Sequence, residues 1–233
     1  MTFQQAKKTV VAPKVAIMGV SGGGKTYSAL RFARGYVGES GRIAFLDTEN
    51  GSASLYADLT DFDVMNLKPI TGSSTCFNTE DFVSGIVEAV NAKYNALVID
   101  SASQVWSSCL ELKARIDANG GNQFTNWKVP KERLARVKNA ILQAPIPVFC
   151  CFRCKTEYVL EVSERGTSTP RRVGLAPVAS TDWDYDYSLV LSVDREHKAS
   201  VVKSRSNLFN NDFNKVLEES DGALFRSWVE GKK

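Results

Sequence analysis

Gly19-Val20-Ser21-Gly22-Gly23-Gly24-Lys25-Thr26 has the spacing G-x-x-x-x-G-K-[ST]. Glycines at these positions let the backbone fold around an anion, so that its N–H groups point inward. A helix starting there adds partial positive charge from its dipole. Lys25 has the length and charge to reach the β- and γ-phosphates of a nucleotide such as ATP, and the Thr26 hydroxyl is a ligand for Mg²⁺. The flanks match: Lys14–Met18 is a short apolar run that reads as a buried strand. Ala29, Leu30, Ala33, Tyr36 and Val37 then recur at helical spacing up to Gly38. Strand, glycine loop and helix in that order are the setting of a phosphate-binding loop.

Two acidic positions complete a metal-dependent phosphoryl chemistry. Ala96-Leu97-Val98-Ile99-Asp100 is four apolar residues ending in an acid, a Walker B pattern, and Asp100 would hold Mg²⁺ through its water shell. Arg42–Asp47 reads as another buried strand and ends in Asp47-Thr48-Glu49-Asn50-Gly51. Acids at the carboxyl ends of strands lie where open α/β sheets bind ligands. Hydrolysis needs a carboxylate that orients a water in line with the γ-phosphate, and Glu49 rather than Asp47 is the candidate base. A loop acid or helix cap is the plainer reading of the same residues.

Lys203-Ser204-Arg205 places two cations on the same side of a strand. They suit a phosphate tail, and equally a solvated edge strand where lysine discourages aggregation. Two basic stretches could track a nucleic-acid backbone. Lys128, Lys131, Arg133, Arg136 and Lys138 form one. Arg153, Lys155, Arg165, Arg171 and Arg172, interleaved with Tyr158, form the other. Each also reads as an ordinary solvated face.

The elements that must carry these residues follow from periodicity. Strands are expected at 62–67, 96–100 and 146–152, with helices at 79–92, 104–116 and 131–142. Phe82, Ile86, Val87 and Val90 share one face of the 79–92 helix. Between the last two helices, Asn119–Trp127 is a glycine- and amide-rich loop with two aromatics. After Arg153 the texture changes to alternation: a hairpin over 157–164 and 167–173, then an antiparallel pair over 186–193 and 199–204. A closing helix carries Leu224, Phe225, Trp228 and Val229 on one face. Residues 1–13 read as an arm and 14–233 as one domain, with 153–178 as a hairpin extension.

Composition bounds the rest. The chain has 233 residues, 43% hydrophobic and 24% charged, with net charge +3 and pI near 8.5. That balance is ordinary for a globular domain and permits nucleic-acid binding without requiring it. No 18-residue apolar run is present, so no membrane span is expected, and Met1–Lys8 lacks the apolar stretch of a secretion signal. Five cysteines, an odd number, fit a reducing cytoplasm and structural roles. The Cys151/Cys154 pair has no second pair to complete a zinc site. His197 is the only histidine, which argues against His/Cys metal ligation and against a Ser-His-Asp hydrolase.

Taken together these motifs resemble the RecA-like ATPases, especially the short forms carried by bacteriophages and prophages and implicated in single-strand annealing and recombination. The likeness runs from about Lys14 to Phe209. Gly19–Thr26 is similar to their Walker A loop, Phe45–Glu49 to the strand ending in their catalytic glutamate, and Val98–Ser101 to their Walker B strand. Arg153–Val159 and Pro170–Val178 resemble stretches of the phage group. Lys203-Ser204-Arg205 resembles the K-x-R element that KaiC- and DnaB-type relatives insert into the neighbouring subunit's site. The resemblance implies a RecA-like α/β core, a mainly parallel sheet between helices with antiparallel strands near the end. It also implies ATP and Mg²⁺ as ligands, Glu49, Lys25, Lys203 and Arg205 in catalysis, and a ring or filament with composite sites. Single-stranded DNA is the implied partner, with a single-strand-binding protein beside it, in the bacterial cytoplasm. Candidate DNA contacts are Arg165, Arg171, Arg172, Lys128 and Lys131. An ATPase switch or assembly factor with a protein client, never touching DNA, is the alternative.

Overall fold

Runs of apolar residues long enough to be buried on both faces form the inner parallel strands, as expected where helices cover a sheet on both sides. The computed structural model describes residues 12–162 and 168–232, and side chains for all of these except 156–174. In chain order the strands are β1 (Lys14–Gly19), β2 (Ile43–Asp47), β3 (Asp63–Asn66), β4 (Ala96–Asp100), β5 (Val148–Val162), β6 (Ser168–Pro177), β7 (Leu189–Val193), β8 (Lys198–Ser204) and β9 (Asn214–Val216). The helices are α1 (Lys25–Val37), α2 (Thr79–Asn91), α3 (Ser103–Ala118), α4 (Lys128–Gln143) and α5 (Glu219–Val229). The sheet order is β3-β2-β4-β5-β1-β7-β8-β9, with β6 paired to the outer part of β5. Pairings from β3 through β7 are parallel, and β7–β8 and β8–β9 are antiparallel. This is the α/β class expected, a mainly parallel sheet with antiparallel strands at the carboxyl end.

Alternate side chains of β1, β2, β4, β7 and the inner part of β5 divide between two cores. Ile17, Phe45, Val98 and Phe149 pack under α1 and α5, where Phe32, Tyr36 and Phe225 make edge and tilted ring contacts. Met18, Leu46, Ile99 and Phe152 pack under α2, α3 and α4. The α1–α5 crossing depends on two glycines. A Cβ on Gly35 would fall 1.7 Å from the Glu219 carbonyl oxygen, and one on Gly222 would fall 2.1 Å from that of Phe32. Arg31 locks the same crossing with a two-pronged pair to Glu219, Nε–Oε1 at 2.9 Å and Nη2–Oε2 at 2.5 Å.

Several elements differ from expectation. β5 runs to Val162, because beyond Arg153 it leaves the main sheet and pairs with β6 as a ribbon, Cys154 opposite Pro177. Residues 163–167 between them lie outside the described residues, as do residues 1–11 of the expected 1–13 arm. Trp183–Asp186 is a 3-10 turn, so β7 starts only at Leu189. Val87 and Leu224 are about half exposed, at 49% and 48%, because each sits at the edge of its helix's apolar stripe. No helix of the described residues is long and apolar enough to cross a membrane.

Candidate active site

The parallel strands end together at one edge, and their register lines up the chemistry. Gly19 of β1 is level with Arg153 of β5, Asp100 of β4 with Cys151, and Asp47 of β2 with Asp100. β1 and β4 are not neighbours, since β5 lies between them. From the end of β1 the phosphate loop turns back into α1. Gly22 (φ 73°) and Gly24 (φ 84°) take left-handed backbone conformations that glycine alone adopts without strain. Gly24 is the N-cap of α1, and the Lys25 ammonium donates back to the Val20 carbonyl at 2.9 Å, folded over the loop. Beneath it the Cys151 thiol donates to the Lys25 carbonyl at 3.8 Å. The five cysteines are all free, four of them buried.

Thr26 and Asp100, distant in sequence, meet here: the Thr26 hydroxyl donates to Asp100 Oδ2 at 2.6 Å. Asp100 is buried and its Oδ1 has no partner among the described residues. Burial raises the Asp100 pKa to about 6, with Glu49 and Asp47 adding to the rise while Thr26 and Lys25 oppose it. A buried carboxylate, an orphaned oxygen and an adjacent hydroxyl are a donor set that fits a hard cation such as Mg²⁺. The same raised pKa predicts a stability effect. The folded state holds the proton up to about pH 6 and the unfolded chain only to about 3.8. Stability from this group is therefore full at low pH and lost as pH rises through 6. At neutral pH the charged form costs on the order of 2–3 kcal/mol. Asp100→Asn should thus melt above wild type at pH 7, by roughly 5–10 °C, with the gap about halved at pH 5 and closing near pH 4. A variant that melts below wild type at pH 7 would show that Asp100 is stabilised as an anion.

The loop after β2 separates its two acids. Asp47 is 1% exposed, and both its oxygens accept backbone N–H groups, from Glu49 and from Ala53. It organises the turn that presents Glu49. The Glu49 carboxylate reaches Arg153, whose Nε and Nη2 both donate to Oε1, at 3.0 and 2.9 Å, leaving Oε2 outside that pair. Arg153 itself is pinned, its N–H donating to Ser103 Oγ and its carbonyl accepting from Val178 N–H. The sequence placed Arg153 in a basic stretch and at the end of the 146–152 strand, on the same edge as the candidate acids. Its bond to Glu49 was not read.

Lys203 and Arg205 are not part of this cluster. Lys203 pairs with Val190 and Arg205 N–H donates to the Ser188 carbonyl, at the opposite edge of the sheet. Val193, whose carbonyl abuts the phosphate loop, is three residues further along β7 than Val190 and five beyond Ser188. That puts the backbones of Lys203 and Arg205 roughly 10 and 16 Å from the loop along the strand. Both side chains point to the 3-10 turn, Lys203 Nζ to the Asp184 carbonyl at 2.5 Å and Arg205 Nη2 to that of Tyr185 at 3.0 Å. Of the basic candidates, Lys128 and Lys131 are exposed at the start of α4, while Arg136 pairs with Glu80 and Lys138 with Asp186. Arg171 and Arg172 lie on β6 with undescribed side chains, and Arg165 lies outside the described residues.

Comparison with known proteins agrees with this geometry. The model of a family described as AAA domain matches residues 12–177. Among solved structures, a KaiC-like protein from the hyperthermophilic archaeon Pyrococcus horikoshii OT3 superposes with a TM-score of 0.52. The match covers 87% of this chain and 84% of that one at 15% identity, a likeness of fold. No curated protein matches the chain. With the family model spanning more than two thirds of its length, the chain belongs to the AAA domain family, as a P-loop NTPase of RecA-like fold.

Proposed function

We propose that the protein hydrolyses Mg²⁺-ATP at sites shared between neighbouring copies and spends that turnover on single-stranded DNA, in phage-type recombination, annealing or replication. ATP brings the γ-phosphoryl group and Mg²⁺ the charge that neutralises it; the chain does the rest. The phosphate loop and Lys25 hold the polyphosphate, Thr26 and Asp100 hold the cation, and Glu49 takes the proton of the attacking water. The observation that carries the reading is the separation of Lys203 and Arg205 from the phosphate loop of their own chain. A K-x-R pair at the far edge serves hydrolysis only from a second copy, in a ring or filament.

Support for a DNA client comes from composition and exposure. Phe124 is 89% exposed in the loop before Lys128 and Lys131, while Trp127 of the same loop is stacked on Trp106. An exposed ring beside cations is the makeup of a single-strand stacking surface. The β5–β6 ribbon carries Arg171 and Arg172. Single-stranded DNA should therefore raise the ATPase rate and bind without sequence preference, with affinity falling steeply as salt is added. Arg171→Ala with Arg172→Ala should weaken binding to all sequences alike. An ATPase rate indifferent to DNA, with no salt-sensitive binding, would transfer the reading to a protein client.

A further inference from the structure

The turn joining β7 to β8, Asp194–His197, lies against the phosphate loop. A Cβ on Gly19 would be 2.5 Å from the Val193 carbonyl oxygen, and one on Gly23 would be 3.1 Å from that of Asp194. One on Gly24 would be 2.9 Å from His197 Nδ1, so the imidazole stands directly over the residue that caps α1. The turn is tightly bonded. Asp194 N–H donates to the Lys198 carbonyl at 3.0 Å, and His197 N–H to that of Asp194 at 3.2 Å. Asp194 Oδ1 accepts from the N–H groups of Glu196 and Lys198 at 2.8 and 2.9 Å. His197 holds φ at 65°, in the left-handed region that few residues other than glycine occupy, histidine among them. Its side chain is exposed, so the ring is free to meet a ligand.

We propose that His197 is a nucleotide-binding residue. Its imidazole contacts the polyphosphate of the nucleoside triphosphate in the loop and offers it a hydrogen-bond donor. The inference rests on reading Gly19–Thr26 as an ATP site. A phosphate bonded to the N–H groups at the start of α1 comes within a side chain's length of a ring standing over Gly24. The charged residues of its own turn are Asp194, Arg195, Glu196 and Lys198. Asp194 is occupied by backbone N–H groups, and Glu196 pairs with Lys198 at 2.8 Å. As the sole histidine it is the single source of any histidine-dependent effect.

The test is the affinity for a non-hydrolysable ATP analogue with Mg²⁺, by calorimetry, in wild type and His197→Asn. Asparagine tolerates the same left-handed conformation, so the turn is kept, and matched melting temperatures verify it. Wild type should bind about three- to tenfold more tightly than the variant, the worth of roughly one hydrogen bond to the nucleotide. Equal affinity of the two proteins overturns the role of His197 alone. Failure of wild type to bind, matching Lys25→Ala, overturns the ATP reading and this proposal with it.

Discussion

Arg205→Ala should bind ATP as wild type does and hydrolyse it roughly 10³–10⁵-fold more slowly, the range measured for arginine fingers. A guanidinium is always charged, and its planar fork bridges two phosphate oxygens. It therefore stabilises charge that develops in the transition state and contributes little to ground-state binding. Its loss should appear in kcat, read as steady-state phosphate release, with nucleotide affinity unchanged. In the isolated chain Arg205 Nη2 is held by the Tyr185 carbonyl at the edge remote from the phosphate loop, so the variant has no reason to disturb its own pocket. Turnover within about tenfold of wild type would exclude Arg205 from the chemistry.

Glu49→Gln should keep ATP binding and lose about 10²-fold or more of the rate, the scale of a lost general base. Glutamine retains an acceptor for Arg153, so the bond across the sheet edge survives and the loss is chemical. Lys25→Ala fails at an earlier step, because it removes the ammonium from the loop and weakens binding itself. The pair of variants separates the two roles: Glu49→Gln should trap bound, unhydrolysed ATP, and Lys25→Ala should hold little. Normal single-turnover rates in Glu49→Gln would remove Glu49 from the site.

How far the sequence announced this site follows from what each signal depends on. The phosphate loop, β2 and β4 were legible because strands buried on both faces leave unbroken apolar runs, and each run ends in the residue that matters. Thr26 and Asp100 could be paired because both belong to motifs of fixed role. The Glu49–Arg153 bond could not be read, since it depends on β5 lying between β1 and β4, which no local pattern encodes. His197 was visible only as a lone histidine in a turn, and its approach to Gly24 arises from the pairing of β7 with β1. The three-residue β9 is too short for alternation to register. At Val87 and Leu224, helical spacing fixed the face but not the width of the stripe that is covered.

The central claim is that one ATP site is built from two copies of the chain, and mixing two inactive variants tests it most directly. Lys25→Ala retains its Arg205 but has no working phosphate loop, and Arg205→Ala has the converse defect. Each alone should be nearly silent in phosphate release. When the two are mixed and allowed to exchange subunits, some interfaces join an intact loop to an intact arginine, and activity should return in proportion to those interfaces. Recovery that rises and falls with the mixing ratio is the predicted result. Co-assembly verified by a tag on one variant, with phosphate release no higher than in either parent, would contradict the shared site.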